Sequence, residues 1–218
     1  MSADAPQFRG VPSTVSGDET PQIELVVFDL GGVLVDLSGL DAFLDRHRLD
    51  PAEFWPRWLG TGQVADFERG TCTADEFAAV FLAEFDLDIP PTQLLAEFAE
   101  WPGPLLPGAA ELVGDVVVRT ATLSNTNEIH WQGAFARHDV LELFDEHFPS
   151  FRLGMAKPDP AIFLAVAERA GVDPERIVFV DDNQVNVDGA RAAGLTAHKV
   201  VGPSEARQAL QPHGVLKP

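Results

Sequence analysis

The sequence is short of cysteine, of positive charge and of long apolar runs. Cys72 is the single cysteine in 218 residues. No intrachain disulfide can form, and the chain suits a reducing, cytoplasmic compartment. Lys and Arg number 15 against 34 Asp and Glu, a formal net charge of −19. That balance argues against nucleic acid as a partner, because its phosphates must be neutralised by Lys and Arg. A small anionic substrate is still admissible where a few local cations or a metal offset the repulsion. No apolar stretch is long enough to span a bilayer, so no membrane is expected as a partner. The first residues, MSADAPQFRGVPSTVSGDETPQ, lack the apolar segment of a signal peptide, and residues 1–21 are expected to be a disordered polar tail. His47, His130, His138, His147, His198 and His213 show no zinc-ligand spacing. TLSNT around Ser124 is not the GxSxG elbow of a serine hydrolase.

Hydrophobic residues make up 45% of the chain, with 15 Phe and 4 Trp, enough for a substantial core. The length suits one large domain, or one domain carrying a sizeable insertion. IELVVF (23–28), VVVRTATL (116–123) and RIVFV (176–180) are short apolar runs, each ending on a polar residue, and TAHKVV (196–201) is a further strand candidate. Such near-continuous runs belong to a parallel sheet covered on both faces. Helices are expected between them, at 159–170 with Asp159 as cap and Gly171 as stop, and at 184–193. The alternation predicts an α/β doubly wound parallel sheet.

Residues 37–105 break the alternation. LDAFLDRHR, DPAEFWPRWL, TADEFAAVFLAEF and PTQLLAEFAEW have helical spacing with no strand between them. They are expected to form a helical insertion, with 22–36 and 106–218 as the core domain. Phe54, Trp55 and Trp58 are expected in the insertion's own core, with the alternative that one of them faces a ligand.

Ligands of an open parallel sheet bind beyond the carboxyl ends of its strands. The polar endings therefore converge: Asp29, Ser124 with Asn125, and Asp181 with Asp182, within reach of Lys157 from the loop GMAKPDP. Each has an ordinary reading when taken alone. Asp29 before Gly31 and Gly32 suits a turn, Ser124 and Asn125 suit a helix cap, and Lys157 suits a solvated loop. Asn186 and Asp188 suit a helix start. Adjacent carboxylates after a buried strand are harder to dismiss, since they need a partner. A hard, all-oxygen site with few ligands fits Mg²⁺, and Lys157 with the Ser124 hydroxyl could hold a phosphate opposite it.

FDLGGVLVD, TLSNTN, GMAKPDPAIF and VFVDDNQVNVDGA resemble, in order and spacing, the four motifs of the haloacid dehalogenase-like (HAD) hydrolase superfamily. The insertion resembles that family's helical cap, and FERGTCTADEF (67–77) a recurring cap signature. The resemblance implies a Rossmann-like core and, residue by residue, a mechanism. Asp29 would be the nucleophile, becoming an aspartyl phosphate. Ser124 and the Asn125 backbone would bind the phosphate of a small phosphorylated substrate. Lys157 would steady Asp29 and the transferring group. Mg²⁺ would take Asp29, Asp182, the Gly31 carbonyl and, through water, Asp181. The expected assembly is a monomer or homodimer.

Gly31 departs from the family pattern, in which most phosphatases carry a second aspartate there as general acid and base. Losing such a group costs about 10²–10⁴-fold in rate. The leading reading is a phosphatase whose substrate has a good leaving group. Sugar-1-phosphates qualify, and the chain most resembles the branch that includes α-glucose-1-phosphate phosphatases. A 2-haloacid dehalogenase also lacks that aspartate, but uses no metal and lacks the fourth-motif carboxylate pair. A weakly active or non-catalytic phosphate-binding module is the third reading.

Overall fold

The computed structural model describes residues 22–218, so the tail expected over 1–21 lies outside the described residues. Leu25–Phe28 (β1), Arg119–Ser124 (β2), Glu146–Pro149 (β3), Ile177–Asp181 (β4) and Thr196–Lys199 (β5) form one parallel sheet. Its order is β3-β2-β1-β4-β5. The fold is the doubly wound α/β core with an inserted helical cap. Alternate residues of β1 serve opposite faces: Leu25 and Val27 join one apolar cluster with Phe163 and Val166, while Val26 and Phe28 join another with Leu112 and Phe144. Burial on both faces is why this strand reads as an unbroken apolar run.

Two strand expectations shift. The run from Val116 begins β2 only at Arg119; Val116 makes an isolated bridge to Leu216, and Val117 is exposed. β3 is not anticipated by the sequence. It is an edge strand with polar Glu146 and His147, ending on Pro149, a residue that sheets tolerate only at edges and ends.

After β1 the chain leaves the sheet for five helices, Ser38–His47 (α1), Pro51–Gly60 (α2), Gly62–Glu68 (α3), Ala74–Glu84 (α4) and Pro91–Phe98 (α5). Asp50 caps α2 through the Ala52 N–H at 2.8 Å, and Thr73 with Glu76 forms a capping box on α4. Their apolar faces meet in an aromatic cluster containing Phe43, Phe54, Phe67, Phe77, Phe81, Phe98 and Trp101. Phe54 is buried and Trp58 packs against this cluster, but Trp55 is not core: it is 43% exposed, and its side chain belongs to the lining of the cavity described below. One residue along the helix from Phe54, it faces away from the stripe that Phe54 buries.

The remaining helices clothe the sheet: Ala109–Asp115 (α6), Glu128–His130 (α7), Ser150–Leu153 (α8), Pro160–Ala170 (α9), Gln184–Ala192 (α10) and Gly202–Leu210 (α11). Asp159 caps α9 through the Ala161 N–H, and Gly171 ends it in the left-handed conformation.

The two crossings between sheet and cap lie side by side. Asp36 N–H donates to the Pro104 carbonyl at 3.0 Å, Gly103 N–H to that of Asp36 at 2.7 Å, and Leu106 N–H to that of Leu34 at 2.8 Å. Just beyond, Gly39 lets α1 approach the end of α5. A Cβ there would fall 2.1 Å from the Glu100 carbonyl oxygen, which is backbone and cannot swing aside. Gly39→Ala is therefore expected to destabilise the protein by about 1–3 kcal/mol, read as a lower urea midpoint with an unchanged slope.

Candidate active site

β1 pairs with β2 on one side and β4 on the other, with Phe28 opposite Thr122 and Val180. That register brings Asp29, Ser124 and Asp181 out along one edge of the sheet. A cavity of about 500 Å³ opens there beneath the cap. Asp29, Gly31, Ser124, Asn125, Lys157 and Asp182 line it from the core, and Trp55, Trp58, Glu68, Phe98 and Trp101 from the cap.

Lys157 organises the floor. Its Nζ lies 2.9 Å from Asp29 Oδ1 and 2.6 Å from Asp181 Oδ2, and its side chain is 1% exposed. Burial works against its charge, but Asp181 and Asp29 overcome that and raise its pKa above the ordinary lysine value. The Asn125 side chain fixes the backbone beneath it: Oδ1 accepts from Lys157 N–H at 2.8 Å, and Nδ2 donates to the Lys157 carbonyl at 2.9 Å. This is not a solvated loop lysine. Nor do Ser124 and Asn125 cap a helix, because Asn127 fills that place for α7, accepting from the His130 N–H.

Asp181 is wholly buried and fully engaged. Besides Lys157, it accepts from Asn183 N–H at 2.8 Å and from Asn186 Nδ2 at 3.0 and 3.1 Å. Asn186 does lie in the first turn of α10, yet its side chain is spent on this carboxylate, a role invisible to a reading of helix signals.

Oxygens of Asp29, Asp181 and Asp182 lie within 4.8 Å of one another. Burial raises the Asp29 pKa to about 7; Lys157 opposes this, while Asp181 and Asp182 add to it. Burial and then Asp181 raise that of Asp182 as well. Three carboxylates beside one buried ammonium leave two negative charges uncompensated when all are ionised. The donors are all oxygen, the chemistry of a hard divalent cation.

The glycine pair has two separate purposes. A Cβ on Gly31 would meet Leu37 Cδ1 at 3.3 Å, so a side chain there would press on Leu37. Gly32 has φ of +71°, and its Cβ would lie 2.5 Å from Asp182 Oδ2. Gly189 on α10 likewise has no room for a side chain, since a Cβ would fall 2.1 Å from the Pro158 carbonyl oxygen.

A haloacid dehalogenase-like hydrolase family model matches residues 23–194. This chain belongs to that family. The hydrolase is 29% identical over 194 residues to a phosphatase of Mycobacterium tuberculosis, covering 82% of this chain and 87% of that one. It is also 29% identical over 175 residues to an (S)-2-haloacid dehalogenase of a Pseudomonas species, covering 79% and 74%. A shorter match, 38% identical over 78 residues, spans 36% of the hydrolase and 15% of a drimenol cyclase of Aspergillus calidoustus. Among solved structures, a family member from Bacteroides thetaiotaomicron in complex with magnesium and inorganic phosphate is 27% identical. It has a TM-score of 0.65 and covers 81% of this chain and 93% of its own. Among the described residues, no helix is long and apolar enough to cross a membrane.

Cap and core are joined at His130, whose Nε2 donates to the Phe98 carbonyl at 2.8 Å while its ring stacks on Phe98 at 4.2 Å. Burial lowers its pKa to about 4. The neutral form therefore belongs to the folded state, and stability is lost as pH falls from the unfolded value near 6.5 towards 4. The loss from this group is up to about 3 kcal/mol. His130→Gln is expected to show a smaller loss over that interval in urea unfolding. Gly32→Ala is expected to displace Asp182 and weaken divalent-cation affinity by about 10-fold or more in titration calorimetry.

Proposed function

We propose that the hydrolase is a Mg²⁺-dependent phosphatase of a small phosphorylated metabolite, with a sugar-1-phosphate as the substrate class that best suits Gly31. One observation carries this reading: Lys157 is held between Asp29 and Asp181 while Asp182 completes a three-carboxylate cluster within 4.8 Å. A dehalogenase needs no such excess of negative charge, because it binds no cation. Gly31 and the Pseudomonas relative favour dehalogenation; the carboxylate cluster, and the magnesium and phosphate bound by the Bacteroides protein, favour the phosphatase.

Asp29, Asp182 and the Gly31 carbonyl would hold Mg²⁺. Both Asp181 oxygens are already hydrogen-bonded, which supports an indirect place for it. The ion, when bound, offsets the negative charge of the phosphate oxygens. The chain's own groups do the rest. Asp29 attacks phosphorus, the bond to the leaving oxygen breaks, and its electron pair departs with that oxygen. Lys157 stays protonated between its two aspartates and faces the developing charge. The Ser124 hydroxyl and the Asn125 backbone N–H orient the phosphate. Water then attacks phosphorus and frees Asp29. Aromatic side chains of the cap roof the site and exclude bulk water when the cap closes over it.

Phosphate release from a panel of phosphorylated metabolites, with Mg²⁺ or with EDTA, tests the reading. Release is expected only with metal, and faster from glucose-1-phosphate than from glucose-6-phosphate. Asp29→Asn should abolish turnover with the fold intact, and Asp182→Ala should sharply weaken the response to Mg²⁺. Chloride release from a 2-haloacid, with silence across the panel, would establish the dehalogenase instead.

A further inference from the structure

Gly31 leaves unanswered which group protonates the leaving oxygen. Gly31 has no side chain to supply it, and a Cβ there would already press on Leu37. Among the described residues, the cavity wall holds one carboxyl besides Asp29 and Asp182, and it comes from the cap: Glu68, the last residue of α3. Glu68 is partly buried, and its carboxyl makes no hydrogen bond or ion pair with any described residue. Other polar groups of the wall are committed or of the wrong kind. His130 donates to the Phe98 carbonyl and faces Asn127 with its other nitrogen, and Lys199 is an exposed cation.

We propose that Glu68 is the acid–base residue of the reaction, delivered from the cap in place of the aspartate that Gly31 replaces. The proposal rests on the phosphatase reading: the hemiacetal oxygen of a sugar-1-phosphate leaves more readily than an ordinary alkoxide, but it still takes up a proton, and Glu68 is the group that gives it. In the first step the P–O bond to the leaving group breaks, and the leaving oxygen takes the Glu68 carboxyl proton along with the bonding electron pair. In the second, water attacks phosphorus, gives a proton to the Glu68 carboxylate, and the P–O bond to Asp29 breaks. The residue ends as it began. Burial raises the Glu68 pKa to about 7, against the opposing charges of Lys157 from the core and Arg69 beside it. Both protonation states are thus accessible near neutral pH, as a group that gives and then takes a proton requires. Because Glu68 rides on the cap, proton transfer and exclusion of water depend on the same closure.

The experiment compares the parent with Glu68→Gln and Glu68→Asp on glucose-1-phosphate and on p-nitrophenyl phosphate, whose phenolate leaves without a proton. Glu68→Gln should lower kcat on glucose-1-phosphate by about 10²-fold or more, and remove the limb of the pH profile that reports the acid. On p-nitrophenyl phosphate it should give a burst of nitrophenolate equal to the enzyme present, followed by slow turnover, since only the water step then lacks its base. Glu68→Asp should recover part of the rate. Thermal melts matching the parent's would establish that the variants are folded. A folded Glu68→Gln with kcat within twofold of the parent and an unchanged pH profile would overturn the proposal. So would a rise in KM alone, which marks a binding role. A parent that releases phosphate from neither substrate would overturn the phosphatase reading, and this proposal with it.

Discussion

A buried ammonium held between two carboxylates is the interaction on which the site depends. Lys157 has almost no contact with solvent, and neither it nor Asp181 could stand there alone, since an unpaired buried charge costs several kcal/mol. The surrounding structure serves this pair. Asn125 clasps the Lys157 backbone on both its polar atoms, and Asn186 takes both oxygens of Asp181. Gly189 lets α10 settle against the Pro158 carbonyl, next to the lysine. With Lys157 held at both ends, the Asp29 carboxylate is oriented by the ammonium while its backbone is fixed to β4 through the Val180 carbonyl.

The excess of carboxylates above this pair is what the proposed Mg²⁺ would offset. Elsewhere in the acidic chain, negative side chains can spread over the surface. Here Asp29, Asp181 and Asp182 lie within 4.8 Å, and burial with mutual repulsion makes protons hard to remove from Asp29 and Asp182. Folding brings them together because β1 and β4 pair in register and end at the same edge, Asp29 following one strand and Asp181 and Asp182 closing the other.

The core was legible in the sequence because parallel strands buried on both faces leave an unmistakable trace, an apolar run with a polar stop. Asp29, Ser124 and Asp181 all announce themselves as such stops. β3 leaves no such trace: at the sheet edge Glu146 and His147 need not be apolar, and Pro149 argues locally against a strand. Trp55 misleads in the opposite direction, because an apolar ring next to Phe54 looks like core until the helix rotation is known. The site residues missed were those whose purpose lies across the fold. Gly32 is needed for the carboxylate of Asp182, 150 residues away in sequence, and nothing adjacent to it in the chain says so. Asn186 and Glu68 each have an adequate local explanation, one in a helix start and the other at a helix end.

The paired crossings at Asp36 and Gly103 have a consequence for how the family's caps can vary. The insertion leaves and re-enters the core at neighbouring points already joined by hydrogen bonds. Its ends are therefore held together by the core itself, whatever the insertion contains. Lengthening or replacing the helices between them adds little loop-closure entropy, because closure cost grows only slowly with length once the ends are fixed. The sheet and its lysine can stay unchanged while the helices above them are rewritten, so whatever the cap contributes to the cavity, Glu68 included, can change without disturbing the floor.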